Sequence, residues 1–275
     1  IYGEGWNMPS FLDTDLRASI MNHSQMPNIA HFSDRFRDVV KGKTSQDEVY
    51  QKGYCSGDAT HIKWMKDVMS ASVCNDHNFA YFSEPTQTIN YVECHDNQTC
   101  WDKLKECCKE DQRENRIKRQ KMCIAAVLFA QGVPFIHSGQ EFARTKYGKH
   151  NTYNAKDEIN LLNWDRKDTY ETIVDYTKDC IELRKEYDCF RYATTKEVRE
   201  NVSFTEIEKT CLHYHIKSDK EELSIIFNPT IKEFDYKFEG KQNIIFNNGK
   251  LNKIEKVEDS IHIEPLSVII LKKGV

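Results

Sequence analysis

No two of the ten cysteines stand in a CxxC pair. Cys107 and Cys108 are adjacent, Cys94 and Cys100 lie six apart, and neither spacing is that of a zinc site. Several thiols, Cys123 and Cys180 among them, fall inside apolar runs, where a free cysteine behaves as a small hydrophobe. That usage suits a reducing compartment, so the expectation is a cytoplasmic protein, with a secreted parent also open, and no metal or cofactor. An excess of positive charge is missing too: 39 Lys and Arg stand against 43 Asp and Glu, a net charge of -4, which excludes a broad field for nucleic acid. The longest uninterrupted apolar run is "MCIAAVLFA" at 122–130, far short of the ~20 residues a membrane helix needs. It reads as a core helix. There is no initial methionine and no charged-then-apolar leader. The opening "IYGEGWNMPS" reads instead as the end of a strand that starts in preceding sequence.

Periodicity divides the 275 residues into 1–192 and 193–275. In the first part, "IYG" (1–3), "NIAHF" (28–32), "TINYVEC" (88–94) and "VPFIHS" (133–138) are strand-like. They alternate with the helical stretches "DLRASIMNH", "DRFRDVVKG" with Gly42 as C-cap, and "RENRIKRQKMCIAAVLFAQG". A last helix at 168–190 carries the stripe Ile173, Tyr176, Cys180, Leu183, Tyr187. This order predicts an α/β fold with a parallel sheet. From 193 on, "CLHYHIK", "LSIIFNP", "FDYKF", "NIIFN", "SIHIE" and "SVIILK" predict a small antiparallel β-sandwich. Long connections at 43–87 and 139–167 are candidates for function.

In a parallel barrel, the residues that follow each strand share one mouth. These are Glu4 and Trp6; Ser33, Asp34 and Arg35; His95, Asp96 and Asn97; and Gln140 and Glu141, with "YNAKDEIN" further along. Two carboxylates, one beside a tryptophan and one beside a histidine, suit glycosidic bond cleavage. One acid protonates the leaving oxygen, the other meets oxocarbenium-like charge, and aromatic faces hold sugar rings. Trp6 is expected to cover Glu4, since a general acid must hold its proton near neutrality.

Five motifs in order, "YGEGW", "FSDRFRDVVKG", "YVECHDN" with "TCWDKL", "VPFIHSGQEFARTK" and "NTYNAKDEIN", resemble the C-terminal half of type I pullulanases, debranching members of the α-amylase family. The resemblance runs from residue 1 to about 190 and more loosely through the sandwich. It implies strands five to eight of a (β/α)8 TIM barrel, with Glu4 as general acid, Asp96 as transition-state stabiliser and His95 as a sugar-binding histidine. Trp6 matches an aromatic platform; Asn97, Arg35, Tyr153, Asn154 and Asp157 match substrate-contacting positions. The implied partners are α-glucans such as pullulan, branched maltodextrin or glycogen, and a missing N-terminal half of the barrel. That half carries the family's nucleophile, an aspartate two residues after an arginine. "RFRD" at 35–38 belongs to the sixth-strand region and begins a helix, so the isolated chain is expected to be inactive. An α-1,4-acting amylase or neopullulanase relative, or a non-catalytic maltooligosaccharide-binding remnant, are the alternatives.

Bland structural roles compete with each assignment. Trp101 is expected in the core, Arg35 is equally suited to pairing with Asp34 or Asp38, and Asn154 and Asp157 to shaping their loop. The charge run "KEDQRENRIKRQK" (109–121) is expected to be a solvated face. No dedicated calcium site is evident.

Overall fold

The computed structural model describes residues 1–73, 81–249 and 255–274. Part of the 43–87 connection and Cys74 therefore lie outside the described residues.

Four short parallel strands, β1 (Tyr2–Gly3), β2 (Ala30–Phe32), β3 (Thr88–Asn90) and β4 (Val133–Pro134), pair in chain order. They are shorter than their apolar runs because the ladder needs a partner at each step: the Ser33 N–H reaches the Ile89 carbonyl, and Ser33 then opens a helix. Eight α-helices are described: α1 (Asp34–Lys41), α2 (Ile62–Met69), α3 (Cys100–Cys107), α4 (Arg113–Phe129), α5 (Asp157–Asn160), α6 (Asp165–Thr169), α7 (Glu171–Glu186) and α8 (Thr195–Asn201).

Local chemistry explains their ends. Ser33 Oγ accepts the Phe36 N–H at 3.1 Å and Thr99 Oγ1 the Asp102 N–H at 3.1 Å, capping α1 and α3. Gly42, at φ +97°, ends α1, and a Cβ there would lie 2.2 Å from the Gln51 carbonyl oxygen. Met122 to Phe129 of α4 are all buried, as a helix enclosed on every side requires.

Three local expectations need correction. "DLRASIMNH" forms two 3₁₀ turns, 14–16 and 20–25, not an α-helix. Arg17 and Asn22 donate to the carbonyls of Leu12, Thr14 and Arg17, and these side-chain bonds favour turns over a helix. The charge run is not a wholly solvated face: Arg119 and Asp111 form a buried pair at 2.5 Å. The long connections hold α2, α5 and α6, so they are not structureless.

The strands β5 (Val202–Ile207), β6 (Cys211–Lys217), β7 (Glu222–Asn228), β8 (Phe234–Asn247), β9 (Glu255–Ile263) and β10 (Ser267–Lys273) form one antiparallel sheet, ordered β5-β6-β7-β10-β8-β9. Two separate sheets were expected; β10 joins them by pairing with both β7 and β8. Alternation then gives the sheet two apolar faces. Leu212, Tyr214, Ile225, Phe227 and Ile270 share a core with α4 and α7, where Phe129 packs on Phe190 and Phe246. Ile226, Ile244, Ile261, Ile263, Ile269 and Leu271 form the opposite cluster. Trp101 is buried, as expected of a core residue, against Tyr170.

Candidate active site

Glu4 leaves the end of β1 between two glycines. Gly5 has φ +70°, and a Cβ there would lie 2.4 Å from His31 Nδ1, so only glycine lets the chain turn over that ring. His31 is 2 % exposed with both ring nitrogens unpartnered, and burial, then the nearby His23, lowers its pKa and keeps the imidazole neutral.

His95, Asp96 and Asn97 follow the extended segment after β3. Each of Glu4, His95 and Asp96 offers one ligand atom, and these atoms lie within 4.8 Å of one another. His95 Nε2 is 3.5 Å from Asp96 Oδ1, with the side chains 74 % and 45 % exposed. Asn97 adopts φ +56°, and its N–H donates to Asn151 Oδ1 at 2.9 Å, which turns the segment back on itself.

These three residues and Asn97 border a cavity of about 240 Å³, with Trp6, Phe32, Tyr91 and Phe135 as its aromatic wall. Phe32 meets Tyr91 and Phe135 edge-on, with ring centroids 5.1 and 5.0 Å away. Arg37 donates to the Tyr91 hydroxyl at 3.1 Å and pairs with Asp38 at 2.7 Å. Cys94 and His137 complete the lining. Such a cleft has the parts a sugar needs: aromatic faces for ring carbons and carboxylates for hydroxyls or a leaving oxygen.

Several expectations fail here. Glu4 is exposed and not covered by Trp6, which is half-buried and turns partly toward Ile20 and Phe82. Arg35 does not reach the cavity: it pairs with Asp67 at 2.8 Å, instead of Asp34 or Asp38, and lies between Trp64 and Tyr81. Asp67 comes from α2, a helix whose packing on α1 was not legible in the sequence. Tyr153, Asn154 and Asp157 are exposed outside the cavity wall, Tyr153 by 84 %. Their loop is pinned instead by Asn160 to Thr152. Gln140 and Glu141 also stay out of the wall: Gln140 is buried, and Glu141 accepts the Gly139 N–H.

His137, Tyr91, Phe32 and Phe135 were missed. Each lies at or just beyond a strand end, so the rule that found Glu4 reaches them once the strands are known to stop early. Among the described residues, Glu4, His95 and Asp96 and, on the antiparallel sheet, Glu233, His262 and Glu264 are the groups whose donors converge enough to hold a cation. Both are open to solvent and neither is assigned a metal. The nine described cysteines are free, eight of them buried.

No family model matches the chain. The pullulanase of Bacillus subtilis (strain 168) is 36 % identical over 216 residues, 78 % of this chain and 30 % of that relative. The chloroplastic pullulanase 1 of Arabidopsis thaliana is 29 % identical over 206 residues, 60 % of this chain and 21 % of that relative. Among solved structures, the type I pullulanase from Bacillus subtilis str. 168 complexed with maltose superposes with a TM-score of 0.95 at 29 % identity, covering 100 % of this chain and 40 % of that one. The pullulanase from Anoxybacillus sp. LM18-11 complexed with maltotetraose gives 0.92 at 33 % identity, covering 100 % and 39 %. The chain thus spans less than a third of the length of these curated relatives.

Proposed function

Taking the chain as a segment of pullulanase type, we propose that it carries the acid side of a retaining glycoside hydrolase site that cleaves α-1,6-glucosidic branch linkages in pullulan, limit dextrins or glycogen. The observation that carries this is the convergence of Glu4, His95 and Asp96 within 4.8 Å, in a cavity walled by Trp6, Tyr91 and Phe135.

The chemistry follows from the residue types. Glu4 gives its proton to the glycosidic oxygen as the bond to the anomeric carbon breaks. Asp96 faces the positive charge that develops there, and His95 donates to a hydroxyl of the same sugar. An aspartate from preceding sequence attacks the anomeric carbon, and Glu4 then takes a proton from the water that releases the sugar. Retention needs that aspartate ~5 to 5.5 Å from the acid. Trp6 receives the leaving-side glucose and Asn97 contacts substrate from the same cavity wall, while Arg35, Tyr153, Asn154 and Asp157 contact substrate only if the completed site reorders them.

The rest of the protein is inferred by the same route. Four parallel strands in unbroken chain order are what half of a (β/α)8 barrel provides, whereas a doubly wound sheet reverses its order. The outer strands β1 and β4 leave Tyr2 63 % and Val133 39 % exposed, edges that the N-terminal half of a barrel would cover. On this reading residues 1–192 complete the catalytic barrel and 193–275 its accessory β domain. Free, buried thiols favour a cytoplasmic setting.

The test is reducing-end release by the 275-residue chain from pullulan and from amylose, with Glu4→Gln as control, and calorimetry with maltotetraose alongside. The expected result is binding without turnover. Turnover abolished by Glu4→Gln would place a nucleophile within these residues and overturn the half-barrel reading, and preference for amylose would overturn the α-1,6 assignment. Failure to bind maltotetraose refutes the sugar site.

A further inference from the structure

The turn that presents Asp96 is held from behind by a buried cation. Lys146 is 1 % exposed, yet its ammonium donates to the His95 carbonyl at 3.0 Å and to the Asn97 carbonyl. These carbonyls bracket Asp96. The left-handed conformation of Asn97 turns both toward one point, where their dipoles oppose each other unless a donor lies between them. An ammonium with three donors on a four-carbon stem meets that need from a distant segment.

Lys146 is itself seated. Its backbone N–H donates to Asp102 Oδ2 at 2.7 Å, and Thr145 Oγ1 donates to Asp102 Oδ1 at 2.5 Å. Asp102 stands in the first turn of α3, which begins three residues after Asn97 and is capped by Thr99. The segment after β4, the start of α3 and the Asp96 turn thus form a closed circuit through one lysine. A buried ammonium is costly when its partners are neutral carbonyls. Its pKa is accordingly lowered by burial and then by Arg144.

We propose that Lys146 is a positioning residue for Asp96, fixing the carboxylate through the carbonyls on either side of it; the proposal rests on the reading of Asp96 as transition-state stabiliser. Lys146 touches no sugar and acts through the backbone.

The test is residue-resolved amide exchange by NMR on the 275-residue chain, with maltotetraose affinity measured separately. Lys146→Met is expected to speed exchange of the Asn97 amide at least about tenfold, the equivalent of one lost charge-assisted hydrogen bond, with Cys123 in α4 unchanged. Lys146→Arg restores the rate to within about threefold of wild type, because a guanidinium still donates to carbonyls. Where the wild type binds maltotetraose, Lys146→Met binds it at least about fivefold more weakly, the same loss felt through Asp96.

An unchanged Asn97 rate, or equal acceleration at Asn97 and Cys123, overturns the proposal. So does faster exchange with unchanged sugar affinity. A wild type that binds no sugar while exchange behaves as expected refutes the site reading and leaves the clamp standing, so the two failures are distinct. If the variants do not fold, the wild type decides. The carbonyl carbon shifts of His95 and Asn97 must move together as Lys146 loses its proton, among the charged Arg144, Glu93 and Asp102 and the titratable Cys94 and His150, and independent movement refutes the clamp.

Discussion

Replacing Glu93 by glutamine tests the layer beneath the cavity. The Glu93 side chain is 0 % exposed, Oε2 accepts the Cys100 N–H at 2.6 Å, and Oε1 faces His137 Nδ1 at 3.1 Å. The other ring nitrogen of His137 faces Arg144 Nη1 at 3.3 Å. A guanidinium only donates, so Nε2 must accept and the ring proton must sit on Nδ1. Both groups around Glu93 are therefore donors.

Glutamine has one oxygen to offer them, and whichever way its amide turns, its NH₂ meets a second N–H. The variant loses a charge-assisted bond, about 1.5–3 kcal/mol, and leaves a buried donor unsatisfied at about 1–3 kcal/mol more. The expected destabilisation is roughly 3–5 kcal/mol, about a 10 °C drop in Tm for a chain of this size. Urea denaturation of wild type and Glu93→Gln measures it, and ¹⁵N shifts of His137 report the tautomer. A loss below about 1 kcal/mol, or a wild-type ring proton on Nε2, refutes the reasoning.

Two further outcomes are expected. Burial above all, and then His215, pushes His213 from 6.5 down to about 4. Between those values the unfolded chain holds a proton the folded chain lacks, so stability falls as pH drops through that window, by roughly 3 kcal/mol when complete. His213→Gln should flatten this limb in denaturant midpoints compared at pH 7 and pH 4.5, and parallel limbs would count against it. Gly5→Ala places a methyl against His31 in a backbone conformation alanine resists, so it should cost roughly 2–3 kcal/mol and abolish maltotetraose binding. Wild-type melting and calorimetry in that variant would contradict the tight turn at Glu4.

What the sequence by itself determined was whatever depends on neighbours a few residues away. Gly42 ends α1, the run 122–129 is an enclosed helix, and Ile173, Tyr176, Cys180 and Leu183 are buried along α7, because capping and 3.6-residue periodicity are local. Glu4 and the His95–Asp96 pair were legible for a related reason: residues that follow parallel strands arrive at the same end of the sheet, whatever lies between them.

Tertiary structure alone decided which distant partner each charge took. Arg35 found Asp67 across α2, Glu93 found His137 some forty residues on, and Lys146 reached back to the carbonyls around Asp96. It also set the strand lengths, since a ladder stops where its neighbour turns away, and it merged two expected sheets through β10. A side chain's type states what bond it can make. Only the folded backbone, by bringing segments together and excluding water, selects the atom that completes the bond.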